Sequence, residues 1–310
     1  DSVLMACVLF ITYILSKTIF EKKIKDINGS KYLLFFAWII TGFAFLVKGP
    51  LVFLFIFSTA IFFRIFSGMN FIKDIKIISG FILFLLIALP WFLFINLGDN
   101  SGVFIDSIKK DMLFKIISVQ ESHGSPPGSY FLSSIIFSWP IFLFILPTCI
   151  WSYKNKSNMA VVFLICSILP AWIFFELMPT KLLHYILPIL PYFAILTSAM
   201  LVSSISNSKV LSSLDNFYIK CISILPAIGG FLISIGILFL AKEYGSGFTF
   251  TVLIIAIIYC IGSVLSAYSL FNRNYINALS KVVFVNLIAL NVIFITLPNQ
   301  FDKIWVTEKI

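Results

Sequence analysis

Long apolar runs, separated by short polar segments, follow one another along the chain. A membrane-spanning helix needs roughly 17–25 mostly apolar residues, and about ten runs approach or reach that length. These runs cover Val3–Leu15, Tyr32–Val47, Leu51–Phe66, Ile75–Leu97, Tyr130–Trp151, Met159–Phe175, Tyr185–Ser203, Tyr218–Leu240, Phe248–Phe271 and Ala278–Leu297. The pattern predicts an all-α polytopic membrane protein, with a transmembrane domain over residues 1–297 and an extracytoplasmic C-terminal tail over 298–310.

The second and third runs are short, and Lys48-Gly49-Pro50 separates them. Glycine and proline interrupt helices, so this tripeptide predicts either a tight hairpin or a partly re-entrant pair of helices.

Composition supports a membrane location. Hydrophobic residues make up 60% of the chain and charged residues 11%, and the mean hydropathy is +1.07. A soluble globular domain has about 25% charged residues, and repeated apolar runs exclude a lone signal peptide as their explanation. We therefore interpret the net charge of +9 as a sign of how the chain is oriented in the membrane and of contact with membrane lipids. No nucleic-acid partner is expected.

The basic residues favour one set of loops over the other. Alternate loops carry Lys17, Lys22, Lys23, Lys25, Lys31, Arg64, Lys73, Lys76, Lys154, Lys156, Lys209, Lys220, Arg273 and Lys281. The remaining loops carry Lys48, Lys109, Lys110, Lys115, Lys181, Lys242, Lys303 and Lys309. Because cytoplasmic loops are enriched in lysine and arginine, the first set is predicted to be cytoplasmic. Both histidines then lie on the extracytoplasmic side.

A polar segment between two apolar runs, residues 176–184, concentrates candidate chemistry. Lys181, His184 and Tyr185 lie within about one helical turn of one another, and Pro188 and Pro191 follow. Ionisable residues at membrane depth indicate a functional site by default, and prolines there release backbone groups that a cavity or neighbour must satisfy.

Two further candidates have ordinary alternatives. Lys48 is either an interfacial lysine whose ammonium reaches water or a cation that binds a phosphate. Glu121 and His123 could share one divalent metal ion, with other ligands supplied from elsewhere, or form part of a capped loop turn. The sequence has no Walker loop, G-x-G-x-x-G or G-x-S-x-G motif. We therefore expect no nucleotide cofactor, and the donor of any transferred group should arrive through the membrane.

Several segments together resemble bacterial protein-mannosyltransferase-like membrane glycosyltransferases, whose relatives are the 4-amino-4-deoxy-L-arabinose lipid A transferases and the dolichyl-phosphate-mannose protein mannosyltransferases. The resemblance rests on Lys48-Gly49-Pro50, Gln120-Glu121-Ser122-His123-Gly124, Pro126-Pro127-Gly128, Trp139-Pro140 and the segment from Pro179 to Pro191. It covers roughly residues 1–200, in the same order along the chain.

The resemblance implies a glycosyltransferase-C fold with its active site on the extracytoplasmic face of the bacterial inner membrane. It implies transfer of a sugar from a polyprenyl-phosphate carrier to a lipid, such as lipid A or lipopolysaccharide, or to a protein. By the same resemblance, His123 with Glu121 would hold a divalent metal ion, and Lys48 and Lys181 would lie near the carrier phosphate.

His184 and Tyr185 would line the donor cavity, and Asp1 would contribute to the active site without being the base. The family's acidic motif in the first outer loop is absent from this sequence. We therefore expect the chain to be an N-terminally truncated fragment that is inactive by itself if the upstream part is missing in the cell. Two alternatives stay open, a lipid-linked-sugar transporter or flippase and an inactive remnant of the transferase.

Overall fold

The computed structural model describes residues 1–20, 27–96, 124–206, 216–244 and 247–300. Within these ranges every regular element is a helix. The α-helices are α1 (Ser2–Phe20), α2 (Ile27–Lys48), α3 (Leu51–Ser67), α4 (Ile77–Asn96), α5 (Ser129–Phe137), α6 (Ile145–Lys154), α7 (Met159–Leu177), α8 (Leu190–Ser206), α9 (Asn216–Tyr244), α10 (Phe250–Phe271) and α11 (Tyr275–Gln300). Two 3₁₀ helices, Ile141–Phe144 and Leu183–Ile189, precede α6 and α8.

The described residues contain six helical stretches that are long and apolar enough to cross a membrane. These are Ser2–Phe20, Ile77–Ile95, Met159–Leu177, Leu183–Ser203, Phe217–Glu243 and Phe250–Phe271. Shorter apolar helices cover Tyr32–Lys48, Leu51–Ser67, Ile141–Lys154 and Tyr275–Asn291. The predicted class, an all-α polytopic membrane protein, is confirmed.

One apolar run departs from the prediction of a single helix. The run from Tyr130 to Trp151 is divided into α5, a 3₁₀ turn and α6, and the division follows Ser138-Trp139-Pro140. Proline has no backbone N–H and its ring clashes with the preceding turn. The helix therefore ends before Pro140, and the chain continues in a tighter 3₁₀ turn.

The Lys48-Gly49-Pro50 segment forms a tight turn between α2 and α3. Gly49 adopts a left-handed φ of 63° and its N–H donates to the carbonyl of Phe45 at 2.7 Å. Glycine is the usual residue in this position because it has no Cβ to clash. Pro50 then precedes the first residue of α3, where a missing N–H costs nothing. This tight turn fits both predicted arrangements, so the choice between a hairpin and a partly re-entrant pair stays a prediction.

By packing, the chain divides into two compact units. Unit 1 comprises Asp1–Phe137 and Ser152–Leu196, and unit 2 comprises Ser138–Trp151 and Thr197–Ile310.

In unit 1, α2 packs against α1 and α4, and α3 packs against α7. Near the last turn of α1, the rings of Phe20, Phe63 and Phe163 meet edge to face at centroid distances of 5.2–5.9 Å. Closer to the middle of α1, the hydroxyl of Tyr192 donates to Thr12 Oγ1 at 2.8 Å and joins α8 to α1. These contacts fix the helices whose other ends carry the polar residues.

Unit 2 is built mainly from α9, α10 and α11. The hydroxyl of Tyr259 donates to Asn286 Oδ1 at 2.6 Å, and Lys281 Nζ donates to Ser269 Oγ at 2.7 Å. A Cβ on Gly262 would lie 2.1 Å from Val285. Close backbones and hydrogen bonds between helices are how helices associate in lipid. Residues 301–310 of the predicted tail lie outside the described residues.

Candidate functional site

Three charged or ionisable side chains meet at one end of unit 1. Asp1 immediately precedes α1, Lys48 is the last residue of α2, and His184 lies in the 3₁₀ turn before α8. Lys48 Nζ donates to Asp1 Oδ1, and His184 Nε2 lies 3.3 Å from Asp1 Oδ2. The side chains are 21% (Asp1), 26% (Lys48) and 41% (His184) exposed. We call these residues, with Tyr185, the Asp1 cluster.

Tyr185 forms an aromatic wall of this cluster. Lys48 Nζ lies 5.5 Å from the centroid of the Tyr185 ring, which is a cation–π distance. The His184 ring meets Tyr185 edge to face at 5.1 Å, and Phe175 of α7 packs on Tyr185 at 5.6 Å. The structure therefore brings together four of the residues predicted from the sequence to contribute to a site.

The cleft between these side chains has a volume of about 10 Å³. That is room for about one water molecule. An anionic ligand would therefore bind at the exposed side of the Asp1 cluster or displace the Asp1 carboxylate from Lys48.

Local sequence explains where these side chains lie. Gly49 ends α2 directly after Lys48, which places the ammonium at a helix C-terminus, where a cation is favoured. Leu182 is extended, and the N–H of Tyr185 then donates to the carbonyl of Leu182 at 3.0 Å. This turn directs His184 and Tyr185 towards the start of α1.

Lys181 lies apart from the Asp1 cluster. Its ammonium donates to the carbonyls of Phe175 (3.3 Å), Glu176 (2.6 Å) and Met178 (2.8 Å), at the C-terminal end of α7. It also lies 3.9 Å from Glu176 Oε2.

Only 3% of the Lys181 side chain is exposed. Burial lowers the pKa of this ammonium, and the nearby Glu176 carboxylate partly offsets that effect. The three hydrogen bonds close the end of α7, because the last carbonyls of a helix have no partner within the helix.

Glu176 joins two sequence motifs that are far apart in the chain. Its Oε2 accepts from the N–H of Gly128 at 2.8 Å, and its Oε1 accepts from the N–H of Phe131 at 3.0 Å. An anion here satisfies unpaired donors at the N-terminus of α5.

Two other contacts join the same segments. The hydroxyl of Tyr130 donates to the carbonyl of Leu182 at 3.0 Å, and Gly124 forms an isolated antiparallel bridge with Thr180. Sequence reasoning missed this role of Glu176. Its partners Gly128 and Phe131 precede it by 48 and 45 positions, and no local sequence rule connects residues that far apart.

The predicted metal ligands Glu121 and His123 lie outside the described residues. Among the residues that the structure describes, there is no group of three histidine, cysteine, aspartate or glutamate side chains that could hold a metal ion. Asp1 and His184 provide two donors, which is fewer than a metal site needs.

The helical arrangement is a fold shared with solved structures of a polytopic membrane protein, so the fold class predicted from the sequence is confirmed. The chain is similar to the crystal structure of ArnT from Cupriavidus metallidurans bound to undecaprenyl phosphate, with a TM-score of 0.63 and 13% identity. It is similar to the same protein in the apo state, with a TM-score of 0.60 and 14% identity.

The likeness covers 93% of this chain and 52% or 51% of the ArnT chains, so the chain spans about half of their length. No protein-family model and no curated protein matches the sequence. The likeness to ArnT is therefore one of fold.

Proposed function

We propose that the chain transfers a sugar from a polyprenyl-phosphate carrier to a lipid or protein acceptor, at the extracytoplasmic face of the bacterial inner membrane. The observation that carries this proposal is the Asp1 cluster, in which Lys48 and His184 converge on one carboxylate at an end of a helical bundle. The fold is shared with ArnT, for which one structure contains undecaprenyl phosphate. A lipid A or lipopolysaccharide acceptor and a protein acceptor both fit this proposal.

In the proposed reaction, the bond between the anomeric carbon and the phosphate oxygen of the donor breaks. The electron pair leaves with the carrier phosphate, and an acceptor oxygen forms the new bond to the anomeric carbon. Lys48 neutralises the negative charge on the departing phosphate, which is the charge that grows in the transition state, and His184 donates a hydrogen bond to it.

Without a ligand, the Asp1 carboxylate holds Lys48 and His184 in one place. Asp1 is not the base in this proposal. The proton of an acceptor hydroxyl goes to a carboxylate of the family's acidic motif in the first outer loop, which this sequence lacks. An acceptor that is already ionised, such as a lipid phosphate, brings no proton and needs no base.

Other residues act around this centre. Tyr185 provides an aromatic surface beside Lys48, and Glu176 and Lys181 hold the segment that carries His184. Glu121 and His123 stay proposed ligands of a divalent metal ion.

Mass spectrometry of cell lipids and glycoproteins tests the proposal. Cells would express the protein, its Lys48→Ala variant or its His184→Ala variant at matched levels, beside cells that lack the gene. Lys220→Ala is the matched control, because Lys220 is an exposed lysine in unit 2. We expect both cluster variants and the deletion to lose a sugar-sized mass from a lipid species or a glycoprotein, and the control to retain it.

Two outcomes would overturn the proposal. Spectra that change on deletion but not in either cluster variant would remove the site assignment and favour a lipid-linked-sugar transporter. Lipid and glycoprotein spectra that do not change even on deletion would favour an inactive remnant.

A further inference from the structure

Unit 1 contains an apolar groove far from the Asp1 cluster. The groove has a volume of about 490 Å³ and lies between α1, α2, α3 and residues 71–77. Arg64, in the last turn of α3, is part of its lining. Arg64 is 13 residues from Leu51, which lines the cleft of the Asp1 cluster, and this separation corresponds to about 20 Å along a helix. We call this cavity the Arg64 groove.

The inner wall of the Arg64 groove is buried and its outer rim is exposed. Ile14, Leu34, Trp38 and Phe71 are each at most 7% exposed. The rim contains exposed apolar side chains from α3, the 71–77 segment and the start of α4, namely Phe57, Ile61, Ile65, Ile72 and Ile77. In a membrane-spanning unit, such a rim faces lipid, so a hydrocarbon chain can enter from the side.

The polar groups of the inner wall already have partners. The Thr41 hydroxyl donates to the carbonyl of Ala37 at 2.8 Å, and Trp38 Nε1 donates to the carbonyl of Ile75 at 3.1 Å. The inner wall therefore favours an apolar ligand. Its volume falls in the range of about 300–1,000 Å³ that is typical of small-molecule sites.

Positive charge surrounds one end of the Arg64 groove. Arg64 is exposed at the groove, Lys73 is exposed in the adjoining segment, and Lys76 Nζ lies 5.1 Å from the centroid of the Phe35 ring. Asp74 is the acidic residue between those lysines. Arginine binds phosphate well because its planar group offers paired donors.

We propose that the Arg64 groove binds one acyl chain of an anionic bilayer phospholipid, with the lipid phosphate at Arg64. The occupant combines the two chemistries that the groove offers, an apolar wall and a basic end. It is a lipid other than the sugar carrier, whose phosphate we assign to Lys48, beside the start of α3 and about 20 Å from Arg64 near its end. This proposal stands whether or not the chain is a transferase.

Tryptophan quenching tests the proposal, because Trp38 lines the Arg64 groove. The protein would be reconstituted in vesicles containing phosphatidylglycerol or phosphatidylcholine with brominated acyl chains, which quench nearby tryptophans. The difference between the protein and its Trp38→Phe variant isolates the Trp38 signal. We expect phosphatidylglycerol to quench Trp38 with an apparent association constant about fivefold that of phosphatidylcholine, which corresponds to ~1 kcal/mol per charge.

Substitutions test the basic end and the apolar wall of the Arg64 groove one at a time. Arg64→Gln should abolish the preference for phosphatidylglycerol, whereas Arg273→Gln should preserve it, since Arg273 is the other arginine of the sequence and lies in unit 2. Ala60→Phe should reduce Trp38 quenching by both lipids, because it fills the groove. Arg64 is exposed, so its substitution tests the proposal even if Ala60→Phe does not fold.

Equal quenching by the two lipids, or a preference that survives Arg64→Gln, would overturn the proposal. So would displacement of the brominated lipid by undecaprenyl phosphate but not by unbrominated phosphatidylglycerol, since the groove would then be a site for the carrier.

Discussion

Lys181 is a buried cation whose donors are used by the protein itself. Three backbone carbonyls at the end of α7 accept from its ammonium. The resemblance predicts a contact with the carrier phosphate, whereas the geometry gives Lys181 a role in holding the segment before His184. Stability and transfer measurements distinguish the two roles.

Replacing Lys181 with methionine should destabilise the protein by about 3 kcal/mol, because it leaves buried carbonyls and Glu176 without their cation. Thermal unfolding in detergent measures the effect. Lys242→Met, at an exposed lysine, should change little. Unchanged unfolding of Lys181→Met together with lost sugar transfer would instead support a direct role in donor binding.

The difference in unfolding free energy between the protein and its Lys181→Met variant should depend on pH with a definite sign. Burial lowers the pKa of Lys181, which lies between two membrane-spanning stretches, below 10.5, its value in the unfolded chain. Between the lowered pKa and 10.5, the unfolded state binds more protons than the folded state, so rising pH stabilises the folded protein. The difference in unfolding free energy between the protein and Lys181→Met should therefore widen as pH rises in that window. A narrowing difference would contradict this account.

At the scale of residues, the sequence predicted the members of the Asp1 cluster better than the roles of their neighbours. Lys48, His184 and Tyr185 stand out because polar groups at the ends of apolar runs are unusual, and Asp1 followed from the resemblance. The contacts of Glu176 and Lys181 could not be predicted in the same way. They depend on how α5 and α7 pack together, which no short motif records.

At the scale of elements, Glu176 fastens the start of α5 to the end of α7. Glu176→Ala should expose the amides of Gly128 and Phe131, which the carboxylate now binds. Loss of a charge-assisted cap costs about 1–2 kcal/mol, so hydrogen exchange at residues 128–131 should accelerate about tenfold, as 1.4 kcal/mol predicts. Glu243→Ala, at an exposed carboxylate in α9, is the control. Unchanged exchange at residues 128–131 would show that Glu176 is not needed to hold α5.

Two glycines give a second prediction at this scale, with opposite signs. A Cβ on Gly80 would lie 2.0 Å from Trp38 Nε1, whereas a Cβ on Gly236 would meet nothing within 4 Å. Gly80→Ala should therefore destabilise the protein by about 1–3 kcal/mol through overpacking. Gly236→Ala, inside α9, should stabilise it by about 0.5–1 kcal/mol through helix propensity. Both effects can be measured by chemical unfolding, and equal effects would contradict the close packing of α2 on α4.

Most helices could be predicted because each one coincides with an apolar run in the sequence. The break at Pro140 was missed, although Trp139-Pro140 was noted as a motif. An apolar run shows that a segment is lipid-soluble but does not show that it is one helix. The backbone decides that, through the missing N–H of a proline.

At the scale of the whole molecule, the fold class was predictable and the Arg64 groove was not. Composition and repeated apolar runs are enough to define a polytopic helical protein. A groove between α1, α2 and α3 depends on which faces of these helices pack together. Because these helices are apolar on every face, the sequence does not show which face packs against a neighbour. The positive-inside pattern still predicts that the Asp1 cluster faces outwards.

The most direct test of the central claim is the binding of undecaprenyl phosphate to the purified protein. We predict that Lys48→Gln weakens binding about tenfold or more, as the loss of a charge-assisted hydrogen bond of about 1.5–3 kcal/mol implies. Lys220→Gln should bind like the unaltered protein, and Arg64→Gln should too, which separates the Asp1 cluster from the Arg64 groove. Binding by Lys48→Gln equal to that of Lys220→Gln would contradict the assignment of the carrier phosphate to the Asp1 cluster.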